Sequence, residues 1–216
     1  MSTWQKITAE LGEMEAALVA VSKTRTDEQI MDLYDLGQRV FGENRVQELV
    51  EKQGRLPKDI RWHAIGHLQR NKVKSIASFV EMIHSVDSMR LCQEIAKQAA
   101  SNEREIKILL QVKIAQEESK YGIAPEALVD FCKSLQAENY AYLTPAGIMG
   151  MATFTDDQKQ IRAEFRLLKQ LFDRVKNDVF SEQESFKEIS MGMSGDYKIA
   201  LEEGSTVVRI GSLLFS

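Results

Sequence analysis

Three features of this sequence could do chemistry together. An apolar run in "VAVSKTRT" (19–26) ends by delivering Lys23. A lysine at a strand end is ordinarily solvated, but a placed one offers an amine that condenses with carbonyl groups. Far along the chain, "GMSGD" (192–196) sets Ser194, Gly195 and the amides after them at the start of a short helix over 196–203. A hydroxyl and free N–H groups in that position suit an anion. "RIGSLLF" (209–215) adds Gly211, where a backbone can approach a ligand closely, with Ser212 after it. Arg209 lies two residues before Gly211 and so on the same side of a strand, an obligatory donor with a permanent charge. Taken singly, Ser194 reads as an N-cap, Gly211 as a bulge and Arg209 as half of a salt bridge.

Whether these residues meet depends on the elements that carry them. Apolar runs at 17–22, 39–43, 61–66, 79–86, 106–114, 142–149, 186–193 and 206–211 alternate with helical patterns. Such runs fit the strands of a parallel sheet covered on both faces. Thr26 and Gln29 form a capping box, Ile30, Leu33 and Tyr34 have helical spacing, and Gly37 closes that helix. Thr155 and Gln158 form a second capping box, ahead of Ile161, Phe165, Leu168, Phe172 and Val175 on one face. Pro125 suits the first position of another helix, followed by Leu128, Phe131 and Leu135. An extra helix is expected around 4–11. Eight strand–helix units predict an α/β chain folded as a single (β/α)8 barrel of the TIM type over 1–216, with that extra N-terminal helix. An open doubly wound sheet is the competing layout, but the first strand-to-helix turn lacks the glycine-rich dinucleotide fingerprint.

In a barrel the C-terminal strand ends converge on one mouth. Lys23 follows the first strand, Asn44 the second and His67 the third. Ser85 and Asp87 end the fourth, Glu117 and Lys120 follow the fifth, and Met149 ends the sixth. Ser194 follows the seventh, and Gly211 and Ser212 the eighth. Barrels commonly hold phosphate on the loops after strands seven and eight. An amine facing a phosphate cradle suits pyridoxal 5′-phosphate, its aldehyde in a Schiff base with Lys23 and its phosphate anchored opposite. Arg209 at the pyridine nitrogen would keep that nitrogen unprotonated. The ring would then be a weak electron sink, which disfavours demanding carbanion chemistry.

Composition removes several alternatives. A net charge of −4 is not the footprint of a nucleic-acid binder. The basic stretch "HLQRNKVK" (67–74) lacks interleaved aromatics and reads as a solvated helix face. Cys92 and Cys132 fall in helical patterns and read as small core residues in a reducing compartment. No apolar run reaches membrane-spanning length, and "MSTWQKITAELGEMEA" has no signal-peptide core. A cytoplasmic monomer without membrane or nucleic-acid partners is expected.

The motifs "VAVSKT", "FGENRVQEL", "WHAIGHLQRNKVK", "HSVDS", "EESKYG" and "SMGMSGDYKIALEEGSTVVRIGSLLF" closely resemble the pyridoxal phosphate homeostasis proteins, once called proline synthetase co-transcribed homologues. These are similar to the barrel half of bacterial alanine racemases and eukaryotic ornithine decarboxylases. The resemblance implies that Lys23 forms the Schiff base, Asn44 lies by the ring and Arg209 faces the pyridine nitrogen. It also implies that Ser194, Gly211 and Ser212 hold the phosphate, with His67, Met149 and Met191 lining the pocket. Glu117 and Lys120 match the family's acidic-and-lysine motif, whose lysine could receive or pass on the cofactor, or simply form an exposed ion pair. The family usually has Asn where this chain has Lys113 and often a small residue at Ala115, and the segment before the first strand is shorter than usual. The implied function is a non-catalytic carrier that supplies pyridoxal phosphate to apo-enzymes. The alternative is an amino-acid racemase, with Lys23 on one face of the substrate and His67, Tyr197 or Lys120 on the other.

Overall fold

A computed structural model describes residues 2–117 and 121–215. Eight parallel strands close into a barrel in sequence order, β1 (Ala17–Val21), β2 (Val40–Glu43), β3 (Arg61–Ala64), β4 (Met82–Val86), β5 (Ile106–Gln111), β6 (Leu143–Met149), β7 (Glu188–Ser190) and β8 (Val207–Ile210). β8 returns to β1 over the register Ala17↔Val207 to Ala20↔Ile210. The expected open-sheet alternative is thereby excluded. Every strand is shorter than its apolar run; at β4, β5 and β7 flanking apolar residues such as Val80, Val112, Ile114 and Phe186 stay buried outside the ladder.

The connecting helices are α2 (Asp27–Asp35), α3 (Val46–Arg55), α4 (Val73–Ile76), α5 (Met89–Ser101), α6 (Leu128–Glu138), α7 (Gln158–Asp178) and α8 (Tyr197–Glu202). The extra helix α1 spans Thr3–Glu13 and starts at a capping box of Ser2 with Gln5. The box of Thr26 with Gln29 is formed as expected, and Gly37 follows α2 at φ 109°. The second expected box is not formed. Asp157 caps α7, accepting from the amides of Lys159 and Gln160, while Thr155 accepts from Asp157 N instead. An acidic side chain adjacent to the helix outcompetes a hydroxyl two residues further away. Pro125 opens a single 3₁₀ turn that leads into α6. α8 begins at Tyr197, one residue later than expected.

The core has two shells. The outward faces of the strands pack under the helices, where Phe41, Trp62, Ile83, Ile108, Ile148 and Phe165 are buried. The barrel lumen holds a smaller apolar set, Met82, Leu109, Ala146 and Met149. No described helix is long and apolar enough to cross a membrane.

Candidate functional site at the barrel mouth

The lumen above its apolar floor is polar. Arg209 is 4 % exposed and points inward from β8, since its neighbours Val208 and Ile210 pack outward against α1. Its guanidinium donates to Ser190 Oγ (2.5 Å) and to the Gly150 carbonyl (3.1 Å). Burial pushes it down to about 10, partly offset by Asp196. It therefore keeps its charge at neutral pH and has N–H groups left over for a ligand.

Ser190 continues the chain of contacts. His84 Nδ1 lies 3.1 Å from Ser190 Oγ, and His84 Nε2 lies 3.0 Å from His63 Nδ1. β4 and β7 are not neighbours in the sheet, so the His84–Ser190 contact crosses the lumen. Arg209 can only donate, so Ser190 Oγ accepts from it. If the serine proton then goes to His84 Nδ1, His84 donates to His63, and only one polar atom of this Arg209–Ser190–His84–His63 series stays unpaired. That atom is the buried His63 Nε2. The reverse direction would strand the serine hydroxyl as well. Burial lowers the affinity of both rings for a second proton, His63 to about 4 and His84 well below the ordinary histidine range.

The rim supplies the remaining candidates. Lys23 is exposed, two residues beyond the end of β1. Asn44 is exposed just beyond β2, and Gly66 lies against it: a Cβ on Gly66 would sit 2.4 Å from the Asn44 carbonyl oxygen. The ends of β2 and β3 thus close up behind Asn44, and Ser85 Oγ fixes them by donating to the Gly66 carbonyl at 2.6 Å. His67 is exposed and stacks on the Tyr121 ring, centroids 4.9 Å apart. Across the mouth, Gly211 N donates to Ser194 Oγ at 3.3 Å, which ties the loops after β7 and β8 together. A Cβ on Gly211 would lie 3.0 Å from the Val21 carbonyl oxygen, so this cradle adjoins the end of the strand that delivers Lys23.

The donor set of the cradle fits a phosphate. Among the described residues the amides of Ser194, Gly195 and Ser212 have no protein acceptor, the Ser194 hydroxyl proton is free to donate, and a Cβ on Gly195 would meet open space. Asp196 turns away from this group by accepting from Met193 N at 2.6 Å. α8 has only six residues, so loop amides rather than an extended helix terminus provide the positive potential.

Two expected pocket residues are deeper than the rim. Met149 is buried in the lumen at the end of β6, in register with Ser190. Met191 follows the inward Ser190 and belongs instead to the buried layer under the helices, so it packs behind the cradle rather than lining the mouth. Glu117 accepts from Phe154 N at 2.7 Å, which joins the loops after β5 and β6. Lys120 lies outside the described residues. Lys113 is half-buried, its amide bonded to the Ile123 carbonyl.

Sequence patterning missed Ser190, His63 and His84, and also a buried pair, Glu43 with Lys52. Each has a signal: a polar residue inside an otherwise apolar buried run, or in the apolar stripe of a helix, as Lys52 between Leu49 and Leu56. Among the described residues no group of three or more His, Cys, Asp or Glu side chains could hold a metal.

Comparison with known proteins gives the chain's family and fold relatives. A profile of the alanine racemase N-terminal domain matches residues 2–216. The chain is 40 % identical over 206 residues to the pyridoxal phosphate homeostasis protein of Aquifex aeolicus, covering 94 % of this chain and 88 % of that one. It is 35 % identical over 218 residues to the human protein of the same name, covering 95 % and 78 %. The structure of PipY from Synechococcus elongatus without PLP superposes with a TM-score of 0.91 at 32 % identity, covering 99 % and 98 % of the two chains. The PipY structure with PLP bound gives 0.86 at 30 % identity, covering both chains fully.

Proposed function

The chain belongs to the pyridoxal phosphate homeostasis protein family, and from that premise we propose that it binds pyridoxal phosphate covalently at Lys23 and works as a carrier rather than a catalyst. The cofactor supplies an aldehyde that condenses reversibly with a primary amine, and a ring that withdraws electrons when its nitrogen is protonated. The single observation that carries the carrier reading is the buried, charged Arg209, fixed by Ser190 and Gly150. A guanidinium there can only donate, so it would keep a pyridine nitrogen facing it unprotonated and leave the ring weakly withdrawing.

The other residues bind and orient. Ser194, Gly195, Gly211 and Ser212 hold the phosphate, and Lys23 provides the amine. Asn44 would lie beside the ring, the stacked His67 and Tyr121 would wall one side, and the buried Met149 would pack below it. Met191 braces the cradle from behind. Delivery to apo-enzymes is supported by the open rim, where Lys23 is exposed. Cys92 and Cys132 are both free and buried, their thiols pushed up to about 12, which suits a reducing cytoplasm.

The test is spectroscopic. Protein mixed with pyridoxal phosphate should turn yellow, and Lys23→Ala should stay colourless. Deuterium uptake at Cα of amino acids in heavy water separates carrier from racemase. Sustained exchange on any amino acid would overturn the carrier reading, and a colourless parent protein would overturn the cofactor reading too.

A further inference from the structure

The two residues flanking Lys23 are gripped by side chains of a neighbouring unit. Ser22 Oγ donates to Glu43 Oε1 at 2.6 Å. Lys52 Nζ donates to the same oxygen at 2.6 Å and to the Ser22 carbonyl at 2.7 Å. On the other side, Thr24 N donates to Glu48 Oε2 at 3.0 Å, and that carboxylate lies 3.5 Å from Lys52 Nζ. Ser22, Glu43 and Lys52 are all excluded from solvent. Thr24 is held at φ 62°, a left-handed conformation that a β-branched residue rarely adopts.

Each of these features is costly. Lys52 and Glu43 lose their hydration, Glu43 Oε2 is buried with no partner among the described residues, and Thr24 is strained. Apolar side chains of similar volume would stabilise a barrel as well as a buried ion pair does. Yet one of these costs falls on Thr24, directly after the exposed lysine, and the other two fall on side chains that bond to Ser22, directly before it. The grip also comes from the strand end and helix that flank Asn44, so it sets Lys23 relative to Asn44.

We propose that Lys52, Glu43 and Glu48 are positioning residues that hold the Ser22–Thr24 backbone so that the Lys23 amine meets the aldehyde of a phosphate-anchored cofactor. This rests on the cofactor reading above. In the step concerned, the neutral Nζ attacks the aldehyde carbon, a C–N bond forms, and the carbonyl oxygen leaves as water carrying two protons taken from the amine. The clamp takes no part in the proton transfers; it fixes where the attacking nitrogen starts.

Three variants test this: Glu43→Gln with Lys52→Met, which leaves no buried unpaired charge; Glu48→Ala, which frees Thr24 N; and Thr24→Gly, which relieves the strained φ. The first readout is the rate of covalent capture, followed by absorbance and by borohydride trapping with mass measurement. The second is the affinity for pyridoxine 5′-phosphate, which carries an alcohol in place of the aldehyde and binds without a covalent bond. A misplaced reacting atom typically costs up to about a hundredfold, so capture should slow by about ten- to a hundredfold in each variant. Pyridoxine phosphate affinity should stay within about twofold of the parent, because that ligand does not use the placed amine. Thr24→Gly should melt no lower than the parent while still capturing slowly. Parent-like capture in Thr24→Gly and Glu48→Ala overturns the clamp, whatever the folding of the double variant. So does a fall in pyridoxine phosphate affinity parallel to the fall in capture, which marks general damage. A parent protein that captures nothing takes the cofactor reading down, and the clamp with it.

Discussion

Ser194 has two jobs at the mouth, accepting from Gly211 N and leaving its own proton for an anion. Ser194→Ala should therefore loosen cofactor retention while covalent capture at Lys23 remains possible. A charge-assisted bond is worth about 1.5–3 kcal/mol, so the dissociation constant should rise by roughly ten- to a hundredfold in equilibrium dialysis. Arg209→Gln acts differently. It leaves the Gly150 carbonyl short of a donor and removes the charge next to Asp196, so it should lower both stability and retention. The stability loss should be about 1–3 kcal/mol, read as a shift of the urea midpoint in the cofactor-free protein. An Arg209→Gln variant that unfolds like the parent would show that the Ser190 and Gly150 contacts contribute nothing.

Among the elements, the helix starts offer a matched pair of substitutions. Thr26→Ala removes a formed capping box from α2 and should cost about 1 kcal/mol. Asp157→Ala should cost a similar amount at α7, whereas Thr155→Ala should cost a few tenths at most, since Asp157 already satisfies two amides there. The same contrast shows what was readable in advance. Eight strands were legible because a parallel barrel buries both strand faces and writes each strand as a solid apolar run. Competing caps two residues apart were not, because Thr155 and Asp157 both satisfy the pattern and only backbone geometry chooses. Lys23, Ser194, Arg209 and Gly211 stand out in the sequence because a barrel brings its C-terminal strand ends to one mouth. Ser190, His84 and Glu43 carry only the weaker signal of a polar residue inside an apolar run, which does not tell which face of the strand the residue takes. Met191 was misassigned to the mouth for the same reason: one step along β7 changes the face.

At the scale of the molecule, the two buried histidines make stability depend on pH. Both are neutral in the fold, and the folded-state value of His63, about 4, lies below the ordinary histidine value of 6.5. The unfolded chain therefore binds protons first as pH falls. The contribution of His63 is complete above about pH 6.5 and is lost progressively down to about pH 4, a change of order 3 kcal/mol. His84 acts in the same direction. Urea midpoints measured between pH 7 and pH 5 should fall steeply in the parent and less in His63→Gln. Equal slopes in the two proteins would mean that His63 is not held neutral. The closure of β1 on β8 has another consequence, one of timing. The lysine is made well before the phosphate cradle, roughly 10–35 s earlier at about 5–20 residues per second. On the carrier reading, a nascent chain would through that interval carry the amine with no anchor for its ligand. Loading would then wait until β7 and β8 have emerged.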